Sequence, residues 1–252
     1  METTHTAFMR DLEQRFQLAT QLADRSLYKI FYGQVRPATI LTLGINPGGA
    51  PSMVNPDGRT NKDRTIAAAS ASYYENDEHD ILDCDWRENR GLRKVLDPLL
   101  AGDAGRIRAE VVKTNLAFRR SAKKTDIDID GAMSEAAPFL TEIIERVRPK
   151  LVLLTGVKLR DFTDRFAQSS RVVVRAERDA SIKQVVFAAA RATLRRLPHD
   201  VILVQDAHAS QYGWTYDRYG VAQRIHQFLD DPRKTSIGAG GQVNGACGTA
   251  LD

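Results

Sequence analysis

Three polar side chains stand just after short apolar runs: Asn46, Asn115 and His208. The segments that hold them are Gly44-Ile-Asn-Pro-Gly-Gly49, Asn115-Leu-Ala-Phe-Arg-Arg120 and Asp206-Ala-His-Ala-Ser210. Two amides and an imidazole form hydrogen bonds, so they suit holding and orienting a polar group rather than attacking it. No Ser or Cys sits in an obvious pair with a base, and no Lys follows a strand end as a Schiff-base candidate. His79-Asp80 resembles a metal-binding dyad, but no second dyad fits it, so neither a metal nor a cofactor is expected. Taken singly, each residue has a plainer reading. Asn-Pro and Pro-Gly both favour turns, Asn115 could cap one, and a lone His is usually structural. Their shared position is what singles them out.

The elements that must position them follow from hydrophobic pattern. The runs Ala38–Leu43, Val111–Thr114, Leu151–Thr155 and Val201–Val204 are short, β-branched and near-continuously apolar. That pattern belongs to interior strands of a parallel sheet covered on both faces. Helical periodicity separates them, over about 6–30, 90–101, 133–148, 157–167 and 218–229. Residues 171–197 are ambiguous: Arg171–Val174 reads as strand, and Val185–Leu197 fits helix or strand. Strands alternating with helices predict a three-layer α/β/α sandwich with a central, mainly parallel sheet of about four strands. In such sheets ligands collect at the carboxyl ends of the strands, where the three residues lie.

Composition sets the outer bounds. The 252 residues are 42% hydrophobic and 27% charged, enough for one sizeable core without disulfides. One domain is expected over 1–231, with a flexible tail over 232–252. The stretch 49–89, rich in Gly, Pro, Asn and Ser, reads as a long functional or disordered loop. Its acidic patch over 75–80 reads first as loop surface. Only Cys84 and Cys247 occur, which excludes a disulfide scaffold and any four-Cys metal site. No run of 18 apolar residues suggests a membrane span. The first residues, Met-Glu-Thr-Thr-His, lack a signal-peptide layout, so a cytoplasmic protein is expected. A net charge of +4 permits an anionic partner without demanding one.

The three segments, in this order, resemble the uracil-DNA glycosylase superfamily over about residues 40–212. Gly44-Ile-Asn-Pro-Gly48 is similar to the first catalytic motif of the mismatch-specific and single-strand-selective monofunctional branches. Lys113-Thr-Asn-Leu116 is similar to the segment with the base-reading Asn. His208-Ala-Ser210 resembles the second catalytic motif, His-Pro-Ser, with Ala209 in place of Pro. The absence of a four-Cys framework excludes the iron–sulfur branches.

The resemblance implies a monofunctional enzyme that hydrolyses the bond between deoxyribose and a flipped-out base, leaving an abasic site. Departure of the base is largely dissociative, so the site must place a water beneath a cationic sugar and stabilise negative charge on the base. By resemblance Asn46 holds the water, His208 donates to the base carbonyl O2, and Asn115 reads the base edge. Gly44, Ile45, Pro47 and Gly48 complete the first motif. In the family-one enzymes an aromatic residue follows the motif's Pro and blocks C5 substituents. Gly48 takes that position here, so uracil-like or 5-modified pyrimidines are both expected substrates, including modified cytosine of phage DNA in an antiviral role. The amide of Asn115 suits uracil in one orientation and cytosine in the other. The second reading of the acidic patch over 75–80 is a partner for a polar base substituent.

DNA, cellular or phage, is the expected partner of a monomer. Flipping a base costs about a few kcal/mol. Gln211, Tyr212 and Trp214 are wedge candidates, with Arg218 near for phosphate. Tyr73, Tyr74 and Phe118 are stacking candidates. Ser210, Arg119, Arg120, Lys123 and Lys124 are candidates for phosphate contact. The competing readings are a metal-independent α/β nucleotide- or phosphate-binding enzyme, and a non-catalytic DNA-binding relative. Neither a Gly-Lys-Ser/Thr loop nor Gly-x-Gly-x-x-Gly after a strand supports the first.

Overall fold

The computed structural model describes residues 4–48, 54, 58, 60, 80–82, 87–121 and 126–230. Expectations on Tyr73, Tyr74, the acidic patch, His79, Lys123, Lys124, both cysteines and the 232–252 tail lie outside the described residues.

The sheet has six strands, β1 (Ile40–Gly44), β2 (Val111–Asn115), β3 (Leu151–Thr155), β4 (Ala167–Asp179), β5 (Gln184–Leu194) and β6 (Asp200–Asp206). Their order is β2-β1-β3-β6-β5-β4. The first four are parallel neighbours, and β5 and β4 add an antiparallel edge. β1, β2 and β3 are buried along their whole length, as their continuous apolar runs require. The expected four strands are therefore present, and the ambiguous 171–197 region adds two more. Ala188–Ala190 and Ala192 favour helix by propensity, yet pairing of β5 between β6 and β4 overrides it. A turn closes the hairpin: Asp179 accepts from the Ser181 backbone N–H at 2.8 Å, and Lys183 takes φ +55°.

Helices cover both faces. On one, α1 (Thr4–Thr20), α4 (Ile129–Val147) and α5 (Leu159–Phe166) pack Leu12, Phe16, Leu140, Ile143 and Phe162 against Leu41, Leu43, Val112, Val152, Leu154 and Leu203. On the other, α2 (Arg87–Leu100), α3 (Ala104–Glu110), α7 (Trp214–Arg218) and α8 (Val221–Asp230) pack Leu92, Leu96, Ile107, Tyr216 and Ile225 against Ile40, Val111, Leu153 and Val204. The three-layer α/β/α sandwich is thus present. Among the described residues no helix is long and apolar enough to cross a membrane.

The first helix stops ten residues short of the expected end. The Thr20 hydroxyl donates back to the Phe16 carbonyl at 2.7 Å, Gln21 turns to φ +56°, and Asp24 caps a short 3₁₀ turn over Arg25–Leu27. Leu27, inside the expected helix, is exposed. The buried residues Tyr28, Ile30 and Phe31 then lead the chain across the carboxyl end of β2, where Thr114 Oγ1 donates to the Ile30 carbonyl. That crossing brings Tyr32 to the end of β2.

Candidate functional site

Alternation along each strand decides which side chains share a face. Ile40, Val111, Leu151, Leu153, Ile202 and Val204 face the α2 layer. Thr42 and Gly44, Lys113 and Asn115, Thr155, and Asp206 continue the same face toward the carboxyl ends of their strands. The apolar layer thus ends in a polar cap beneath the N-terminus of α2, which contributes Glu88 and Asn89.

Two glycines on adjacent strands shape that cap. A Cβ at Gly44, on β1, would lie 2.5 Å from Asn115 Oδ1 and 3.6 Å from Glu88 Oε1. Only glycine leaves room for the Asn115 amide to lean across from β2, where Asn115 is Gly44's register partner. Gly156, just after β3, has φ +70°, and a Cβ there would lie 2.9 Å from both Cβ and Cδ2 of His208. His208 therefore leans from the end of β6 over β3, and Asn115 leans from β2 over β1. Since β1 and β3 pair directly, the two side chains overlie neighbouring strands in the middle of the sheet.

Asn46 is laced into the same edge. The loop after β1 and the loop after β2 pair through Leu116 N–H to Gly44 O, Ala117 N–H to Ile45 O, and Ser121 N–H to Pro47 O. The Asn46 amide nitrogen donates to Ser121 Oγ at 2.8 Å and to the Pro47 carbonyl at 3.2 Å. With its nitrogen so anchored, the amide presents Oδ1, which has no hydrogen bond among the described residues. Pro47 is buried and Ile45 packs on the α1 side of the core. Gly48 is exposed, and among the described residues nothing lies within 4 Å of a Cβ placed there.

His208 is held in one tautomer. It caps α6 (Ala209–Tyr212), its Nδ1 accepting from the Ser210 backbone N–H at 3.3 Å. The Ser210 hydroxyl lies 2.9 Å from the same nitrogen. A backbone N–H can only donate, so Nδ1 is unprotonated and Nε2 carries the hydrogen. Burial holds the imidazole pKa below its usual value; the Glu88 carboxylate pulls it up and the Lys113 ammonium pushes it down. The result is a neutral imidazole offering one N–H donor.

The turn before His208 is fixed by Tyr216, whose hydroxyl lies 2.6 Å from the Ala207 carbonyl and 3.1 Å from Asp206 Oδ1. Full burial pushes the Asp206 carboxyl well above its usual range. The turn after His208 is clamped by α2. A Cβ at Gly91 would lie 2.3 Å from the Ala209 carbonyl oxygen, so only glycine allows this approach.

Five residues that strand-end reasoning did not single out complete the cluster. Asn115 Nδ2 donates to the Tyr32 hydroxyl at 2.6 Å. The Lys113 ammonium is almost fully buried; it donates to Asn89 Oδ1 at 2.9 Å, lies 3.5 Å from Glu88 Oε1 and stands 4.7 Å from the centre of the Tyr32 ring. Lys29 sits 4.1 Å from the same ring centre. A lysine inside an otherwise apolar strand, two residues before Asn115, was the available signal, because a buried ammonium demands partners.

The remaining sequence candidates separate. Phe118 is fully buried, edge-on to Phe16 at 5.5 Å between ring centres, so it is core and not a free stacking surface. Arg119 is held by Glu135 through two hydrogen bonds of 2.7 Å, which leaves it only partly available for phosphate. Arg120 donates to the Gly48 carbonyl at 3.2 Å. Beyond His208, Gln211 is exposed, Tyr212 is half-buried, and Trp214 is exposed with the Arg218 guanidinium 5.7 Å from its ring. Arg218 also lies 3.4 Å from Asp179. Among the described residues no group of three or more His, Cys, Asp or Glu is arranged to hold a metal ion.

The chain matches no protein-family model and no curated protein.

Proposed function

We propose that the protein is a monofunctional DNA glycosylase that hydrolyses the N-glycosidic bond of a flipped-out uracil-like or 5-modified pyrimidine, leaving an abasic site. The observation that carries this reading is the neutral, Nε2-protonated His208 leaning over β3 while Asn115 leans over its neighbour β1, with Asn46 on the same edge. A donor already fixed in orientation costs no reorganisation when charge develops on the departing base, and such donors are worth about 3–4 kcal/mol where measured in acyl transfer. His208 Nε2–H meets the base carbonyl O2. Asn46 Oδ1 accepts from the attacking water, whose oxygen bonds to C1′ while its proton goes to solvent. Asn115 meets the opposite edge of the base. Gly48 adds no side chain of its own, and among the described residues nothing at that position hinders a C5 substituent.

In this proposal the substrate is cellular or phage DNA, met by a cytoplasmic monomer, and removal of modified bases from phage DNA gives an antiviral role. Trp214 and Gln211 stand beyond the catalytic histidine, where a wedge is needed to fill the gap left by the flipped base. The test is a panel of single- and double-stranded oligonucleotides and phage DNAs with different pyrimidines, scored for abasic sites by alkaline cleavage without added metal or nucleotide. Abasic sites at one class of base support the proposal. DNA binding with every base intact identifies a non-catalytic binder instead.

A further inference from the structure

Among the described residues, two hydrogen-bond acceptors converge on the corner over Gly44. Asn115 Oδ1 and Glu88 Oε1 both approach the position that a Cβ of Gly44 would occupy, at 2.5 and 3.6 Å. The donor end of the Asn115 amide is turned the other way, onto the Tyr32 hydroxyl. The nearby Lys113 ammonium has three N–H groups, and Asn89 Oδ1, Glu88 Oε1 and the face of Tyr32 account for three partners. Lys113 also neutralises the Glu88 charge, so a carboxylate can stand here without repelling an electron-rich ring.

A pyrimidine with its O2 toward His208 presents C4 to Asn115. Uracil-type bases offer one donor on this edge, N3–H, beside an acceptor, O4, whose lone pairs would face those of Asn115 Oδ1 and Glu88. Cytosine-type bases have an amino group with two N–H donors, one for each oxygen. Resting on the glycosylase reading above, we infer that the acceptor pair Asn115 Oδ1 and Glu88, oriented by Tyr32, makes this site select a pyrimidine with an exocyclic amino group at C4 over its uracil-type counterpart. Tyr32 acts as a positioning residue, because its contact is with Asn115 and its ring is flanked by Lys29 and Lys113.

The test compares single-turnover release of 5-hydroxymethylcytosine and 5-hydroxymethyluracil from oligonucleotides identical in every other respect. The full chain is expected to release the amino-bearing base about 10- to 100-fold faster, the worth of one hydrogen bond to a charged partner. Tyr32→Phe keeps the ring but frees the amide to turn its nitrogen toward the base, and Glu88→Gln offers a donor where only acceptors stood. Each variant is expected to shrink the ratio of the two rates, whereas a merely structural role would lower both rates together and leave the ratio intact. Equal release, faster release of the uracil-type base, or a ratio unmoved in both variants overturns the inference while leaving the glycosylase reading in place. Release of neither base, where no other pyrimidine is released either, overturns both.

Discussion

The Asn46 amide donates to the Ser121 hydroxyl at 2.8 Å, joining the loop after β1 to the loop after β2. This bond, more than the Pro-Gly turn that follows, sets the direction of Asn46. The chain around it is already paired strand-like through Gly44, Ile45 and Pro47, so loss of the bond leaves the backbone in place and frees only the side chain.

Ser121→Ala is therefore expected to slow base release about 10- to 100-fold, the effect of a misplacement near 1 Å at a reacting centre. Thermal unfolding should move little. Single-turnover rates beside a melting curve check this. An unchanged rate would mean that Asn46 is held by other contacts or plays no part.

Gly91→Ala forces a methyl group into the Ala209 carbonyl, where a Cβ would sit at 2.3 Å. Neither backbone segment can yield without moving α2 away from α6. The expected cost is about 1–3 kcal/mol of stability, the usual penalty of overpacking, with a larger loss of activity because His208 begins α6. Denaturant unfolding and the rate of base release, measured on the same preparation, separate the two effects.

Phe118→Ala distinguishes a core residue from a base-stacking one. Phe118 is fully buried against Phe16, so its truncation should cost about 3–5 kcal/mol. Activity per folded molecule should survive at temperatures well below the lowered melting point. Selective loss of base affinity at full stability would restore the stacking role.

Protonation of His208 links folding to pH. The folded imidazole titrates below its usual 6.5, burial being the main cause, while the unfolded chain takes up the proton near 6.5. Between those values the unfolded state binds more protons, so stability falls as pH drops through that window and is fully present above it. The chain with His208→Gln should lose this part of the slope. Denaturation midpoints measured across pH 5 to 8 on both chains test it, and a wild-type slope of opposite sign from this residue would contradict a neutral His208.

Much of the fold was legible because β1, β2, β3 and β6 are covered on both faces and so read as unbroken apolar runs. β4 and β5 were not, since the alanines of β5 have no strand preference of their own and take their conformation from β6. The end of α1 was hidden because Thr20 and Gln21 stop it without a glycine or proline. Short helices such as α3, capped by Asp103, contain too few turns to show a period. In the site, Asn46, Asn115 and His208 stood out because each follows a strand. Tyr32 arrives from an irregular segment and Glu88 from a helix start, and neither position follows from local pattern. Phe118 was misread for the converse reason: it too follows a strand, but its side chain faces the core.

The most direct measurement is single-turnover base release by the wild-type chain, Asn46→Ala and His208→Ala on the best substrate of the panel, with DNA binding measured alongside. Each substitution is expected to lower release by about 100- to 1000-fold, the usual cost of removing one positioned electrostatic group, while binding changes little. Release at the wild-type rate in both variants would contradict the account.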